Sequence, residues 1–169
     1  MTLVTRLWLC CFVTSHLAVS QDHDASCLVR SVVWAQRGLS WESPPKEAGL
    51  NIRTTKATLF AFASDGSFAR IGCRLIKQPD GTIAMSLGNG FNLFRGTWSL
   101  IRQELRLRFS LVDARLLPVG KTLPGPEQTE SGLATGVCRG KLTVQGVEYR
   151  ELKGMLKDDQ DRLLALRKP

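Results

Sequence analysis

Along much of this chain apolar and polar residues alternate with a period of two, the mark of strands that bury one face. The cleanest stretch is Glu104–Val112, where Leu105, Leu107, Phe109 and Leu111 fall on one side and Glu104, Arg106, Arg108 and Ser110 on the other. Ser67–Lys77 sets Ala69, Ile71, Cys73 and Leu75 against Arg70 and Arg74. Phe91–Leu100 groups Phe94, Trp98 and Leu100 opposite Arg95, Thr97 and Ser99, and Thr82–Leu87 aligns Ile83, Met85 and Leu87. Ala57–Ser64 is apolar on both faces, with Phe60 and Phe62 sharing one. Cys27–Trp34 fits either a first strand or a short helix.

Turn signals separate these runs. Asp65-Gly66 is a strong hairpin signal, because both turn positions of that hairpin favour positive φ. Gln78-Pro79-Asp80-Gly81 and Gly88-Asn89-Gly90 read as two further turns. Ser40–Asn51, with Pro44-Pro45 and Gly49, reads as a loop. Leu116–Gly132 holds Pro118, Pro124 and Pro126 and reads as a long connection, a flap or an ordered loop over one end. Leu133–Val144 resumes a strand pattern around Cys138. Val147–Leu156 reads as a strand with a bulge where the apolar register shifts between Tyr149 and Leu152. Asp158-Asp159-Gln160 then leads into a last strand, Arg162–Leu166, with a helix over Glu151–Arg167 as the competing reading. Roughly seven to nine short strands with tight turns predict an all-β fold. The expected form is an antiparallel up-and-down β-barrel of about eight strands, with a β-sandwich as alternative. The absence of a βαβ rhythm excludes doubly wound and TIM-barrel folds.

The N-terminus changes the picture of where the protein works. Arg6, the apolar run Leu7–Val13 and the small residues Ala18-Val19-Ser20 have the layout of a signal peptide cleaved before Gln21. The expected organisation is therefore a leader over 1–20 and a single domain over 21–169, placed in the periplasm or outside the cell. No apolar run is long enough for a transmembrane segment. Of the five cysteines, Cys27, Cys73 and Cys138 follow the leader. An oxidising compartment favours one disulfide among them, in any of the three pairings.

Removing Arg6 from the 23 basic residues leaves 22 against 15 acidic ones, a net charge of +7. That balance favours an anionic surface or a protein partner. Export, and the lack of exposed aromatics between the basic residues, exclude nucleic acid. Arg70, Arg74, Arg106 and Arg108, with Arg95, lie opposite the apolar positions of successive strands and define a candidate anion-binding outer face.

The segments Phe62-x-x-Asp65-Gly66-x-Phe68 and Gly96-Thr97-Trp98, followed by the alternating Leu105–Leu111, resemble the core of small secreted lipocalin-like or calycin-like barrels. The N-terminal tryptophan, in Val33-Trp34-Ala35, lacks the preceding glycine of lipocalins. The resemblance covers about a third of the chain and implies a barrel holding a small apolar or amphipathic ligand. The candidate ligand-binding walls are Trp34, Phe60, Phe62, Phe94, Trp98 and Phe109.

Catalytic chemistry is thinly represented. His23 and Cys27 are spaced for a nucleophile pair but sit on a polar leader segment. No serine-hydrolase elbow, zinc-protease helix or phosphate-binding loop occurs. The wide cysteine spacing and the single histidine after the leader argue against a metal site, and no cofactor is implied. A carboxylate-pair hydrolase using residues such as Asp113, Glu148 and Glu151 is the third reading. It stands behind a non-catalytic binding protein and an envelope-associated interaction module using the basic outer face.

Overall fold

A computed structural model describes residues 23–30, 33–43, 51–87, 91–112 and 126–168. The leader and residues 113–125 of the proline-rich connection lie outside the described residues. Among the described residues nine strands form: β1 (Trp34–Gln36), β2 (Arg53–Phe62), β3 (Ser67–Lys77), β4 (Ile83–Ser86), β5 (Asn92–Ile101), β6 (Glu104–Val112), β7 (Gln128–Gly136), β8 (Lys141–Val144) and β9 (Val147–Glu151). Residues 23–30 are helical (α1), and Lys157–Ala165 forms α2. All strand pairings are antiparallel, and they run around a ring: β1-β2-β3-β5-β6-β7-β8-β9 and back to β1. This is a closed eight-stranded up-and-down barrel with one extra strand, β4, as the alternation predicts.

The inner face identifies itself by contacts across the ring. Phe60 on β2 meets Tyr149 on β9 edge-on at 4.9 Å between centroids, and Phe68 on β3 meets Phe109 on β6 at 6.0 Å. Neither pair lies on adjacent strands, so these side chains fill the lumen. Leu105, Leu107, Leu142 and Val144 belong to the same cluster. α1 closes its lower end, where Cys27 and Leu28 are buried and the Trp34 indole N–H donates to the Leu28 carbonyl at 3.1 Å. A disulfide joins Cys27 to Cys138, which lies in a 3-10 turn following β7.

A second cluster lies outside the barrel. Leu59, Ala61, Ala69, Ile71, Leu75 and Met85 are buried under α2, with Leu163 at the centre of the helix's contact. The Asp159 carboxylate accepts the Met85 backbone N–H at 2.7 Å and pins the helix to β4. This explains why Ala57–Ser64 is apolar on both faces: one side faces the lumen, the other the helix.

Several expectations are corrected. The segment around Arg162–Leu166 is helical rather than a strand. Asp158 and Asp159 sit in the first turn of α2, where carboxylates complement the helix dipole, and Lys157 pairs with Asp161 one turn on. Val147–Leu156 has no bulge; β9 ends at Glu151, and the chain turns through Gly154 at φ 83°. Gln128–Gly132 belongs to β7, not to the long connection. Gly88-Asn89-Gly90 lies outside the described residues, but β4 and β5 are not the arms of a hairpin. Both run antiparallel to β3 along the same edge, β4 from Arg74 to Lys77 and β5 from Ser67 to Gly72.

Two glycines on the inner face have opposite roles. A Cβ on Gly96 would fall 1.9 Å from the Arg108 carbonyl oxygen and 2.7 Å from Phe109, so only glycine lets β5 approach β6 there. A Cβ on Gly72 would meet nothing within 4 Å. Gly96→Ala is expected to cost about 1–3 kcal/mol through overpacking. Gly72→Ala should be neutral or stabilise by about 0.5–1 kcal/mol through reduced chain entropy. Urea denaturation of both variants checks the contrast; equal losses would contradict it.

Candidate functional site: the open end of the barrel

The lumen has two halves with different chemistry. Around its lower end the rings pack on one another. Phe60, Phe62 and Phe68 stack at 5.8–6.2 Å, and Trp98 stands edge-on to Phe62 at 5.9 Å. The Trp98 indole N–H donates to the Ala63 carbonyl at 2.9 Å, so the polar atom of this ring is satisfied at the β2–β3 turn. Of the six aromatic residues predicted as ligand walls, Trp34, Phe60, Phe62 and Phe109 are fully buried. Phe94 and Trp98 are half-buried against them. The fold gathers all six into one lumen, where they serve each other as packing partners.

Above the rings lies a half-buried ion pair that the alternation pattern misplaces. Arg70 projects into the lumen and its Nη1 donates to both oxygens of Glu130, on β7, at 2.9 Å. Its guanidinium also lies 4.5 Å from the Phe94 centroid, 5.1 Å from Phe109 and 5.9 Å from Phe60. A cation enclosed by ring faces gains from their quadrupoles as well as from its carboxylate partner. The pair joins β3 to β7 across the lumen, one alternate position along β3 from Gly72. Burial pushes the Tyr149 phenol up; the Arg70 charge offsets this and the Glu130 charge adds to it.

Beyond this pair the same face turns polar. Gln36, Lys56, Thr58, Gly72, Arg74 and Asn92 line an open cavity of about 670 Å³, together with Ala57, Cys73, Ser86 and Phe91. A shallower space of about 420 Å³ continues along residues 36–42 and shares Gln36, Lys56 and Arg74 with the first. Both volumes lie within the roughly 300–1,000 Å³ of small-molecule sites.

The expected basic outer face does not assemble. Arg70 and Arg74 point into the barrel, while Ala69, Ile71 and Cys73 face outward under α2. The alternation of β3 is as expected from sequence, with its direction inverted. Arg95 faces outward and is capped by the Leu166 carbonyl at the end of α2. Arg106 and Arg108 do lie outside, each paired with a carboxylate, Glu104 at 3.2 Å and Glu127 at 3.1 Å. Among the acids, Asp113 lies outside the described residues. Glu148 is committed to Arg37, Lys141 and Arg150. Desolvation opposes its ionisation, but the hydrogen bonds from Lys141 and Arg150 prevail and hold its carboxyl below the usual range.

The other sulfur and histidine chemistry is closed off. His23 lies with Nδ1 3.3 Å from Cys138 Sγ and 4.0 Å from Cys27 Sγ. These three residues have the closeness of a metal site, but the disulfide removes both thiolates, so neither sulfur can ligate an ion or act as a nucleophile. Cys73 is free and buried. No protein family, curated protein or solved structure matches this chain.

Two outcomes follow from these environments. Burial, reinforced by the Asp159 charge, pushes the Cys73 thiol from 9.0 up to about 12. A raised pKa means the folded state holds its proton longer, so this contribution is complete below pH 9 and is lost as pH rises towards 12. The thiol should resist a disulfide reagent at pH 8 in the native protein and react at once in denaturant; rapid native labelling would contradict its placement. Glu130→Gln leaves the Arg70 charge half-enclosed without its partner and is expected to cost about 2 kcal/mol in chemical denaturation. A Glu130→Gln variant as stable as the parent would show that the pair does not hold the lumen.

Proposed function

We propose that this protein is a non-catalytic binding protein that holds a small amphipathic molecule in the open end of its barrel. The observation that carries this is the unfilled space at Gly72. In a barrel whose other half is packed ring against ring, one stretch of inner wall has no side chain facing it. A polar rim over an aromatic, ion-paired floor suits a ligand with one wet end and one apolar body. The closed antiparallel barrel, plugged at its lower end by a short helix, supports a lipocalin-like kinship as part of this reading.

The residues also favour a periplasmic or extracellular setting. The leader-like pattern over 1–20 and the Cys27–Cys138 disulfide point the same way. Charge on the outer wall supports an adhesive face less well, because Arg106 and Arg108 are neutralised locally.

The test is occlusion. Gly72 has an ordinary strand backbone and open space above it, so Gly72→Phe should fold and fill the cavity. An environment-sensitive naphthalene probe is expected to bind the parent saturably and to lose at least about tenfold in affinity to the variant. Saturable binding unaffected by Gly72→Phe would place the ligand elsewhere, and no binding to the parent by any amphipathic probe would remove the reading.

A further inference from the structure

We infer that the ligand held in the open end is an amphipathic anion, and that Lys56 and Arg74 grip its charged group. The inference rests on the binding reading above and adds the chemistry of the ligand.

Lys56 and Arg74 stand directly opposite each other in the β2–β3 register, on the inner face. Like charges at directly opposed positions destabilise a sheet. Elsewhere in this protein basic residues near one another are interleaved with acids: Arg37, Lys141 and Arg150 surround Glu148, and Arg70 has Glu130. Among the described residues Lys56 and Arg74 have no carboxylate within ion-pair distance. Glu42 lines the shallower space beside them and makes no ion pair among the described residues; its backbone pairs with Thr54.

Placement strengthens the point. These two cations belong to both cavities, at the join between the deep space over the floor and the shallower one along residues 36–42. An anion there would meet an ammonium from one side and a guanidinium fork from the other, the latter suited to two oxygens of a carboxylate or phosphate. Ser86 is the register partner of Arg74 across β3–β4, and Asn92 that of Gly72 across β3–β5, which puts neutral hydrogen-bonding groups beside the charges. Two residues below Arg74 is the empty position of Gly72, and two below that the neutralised Arg70. The order from rim to floor is therefore unpaired positive charge, free volume, then a satisfied ion pair against rings. A molecule with an anionic head and a short apolar body matches that order; a neutral apolar molecule leaves the cations facing each other.

Competition binding against the naphthalene probe tests this with four ligands of equal chain length: decanoate, decyl phosphate, decanol and decyltrimethylammonium. The parent is expected to favour decanoate or decyl phosphate over decanol by about tenfold or more, as expected for charge-assisted hydrogen bonds. The preference should shrink with added salt. Lys56→Gln with Arg74→Gln should abolish the preference, weakening decanoate and decyl phosphate to the level of decanol, and Lys56→Arg with Arg74→Lys should keep it. Both cations are exposed, so these variants should fold, which circular dichroism verifies. Comparing decanoate with decyl phosphate distinguishes the two head groups. Equal binding of decanol and both anions, insensitive to the double variant, overturns the anion assignment and leaves the binding reading standing. Absence of binding by all four ligands overturns both. Attachment to phosphatidylglycerol vesicles that depends on Lys56 and Arg74, without binding of any free amphiphile, also overturns the inference, because the charges would then serve a membrane surface.

Discussion

Everything described above depends on the closing of the sheet by three residues. Trp34–Gln36 pair with β2 on one side and β9 on the other, and without them the ring is an open sheet with two exposed edges. So short a strand has few hydrogen bonds to hold it. Trp34 supplies the rest: its indole is fully buried in the lumen and its N–H is anchored on α1. Ala35 packs on the outer side beside Leu59, and Leu152 returns to the Val33 carbonyl. Closure, the lower plug and the lumen's contents are thus one cooperative unit, in which neither the helix nor the short strand has a place without the other.

Within that ring the change from packed to open follows from what each position of β3 carries. Phe68 is a ring among rings, Arg70 a charge satisfied across the lumen, Gly72 nothing, and Arg74 a charge with no carboxylate partner among the described residues. Four alternate residues of one strand step from apolar core to wet rim. The wall opposite carries the complement, since Glu130 meets the half-buried charge of Arg70.

The strands and their turns were largely legible in the sequence, because a period-two pattern and Asp-Gly turns depend only on local chemistry. Glu104–Val112 and the Asp65-Gly66 hairpin are of this kind. What was illegible is which face of a strand points inward. On β6 the outer wall is bare and the charged face is the outer one. On β3 an outer helix buries the face with Ile71 and Leu75, and the charges turn inward. The deciding information lies in α2, nearly ninety residues later, whose short amphipathic run around Leu163 is equally compatible with a strand. The Arg70–Glu130 pair had no signal at all in the spacing, as its partners are sixty positions apart and meet only through closure. The aromatic set was legible as a group. Its division between packing and a free wall was not, since the same rings build a filled or a hollow barrel.

The Cys27–Cys138 link has a bearing on the order of events in the chain's history. The two cysteines are 111 positions apart, and β1 to β7 all lie between them. A chain made from its N-terminus cannot form this bond until all but β8, β9 and α2 has been produced. Oxidation is therefore a late event that seals a nearly complete ring instead of guiding its first pairings. Cross-linking so long a loop removes about 4–5 kcal/mol of freedom from the unfolded chain in the entropy picture. The largest covalent gain thus arrives only when the plug is already near its seat, which favours a barrel that has found its register over one still searching for it.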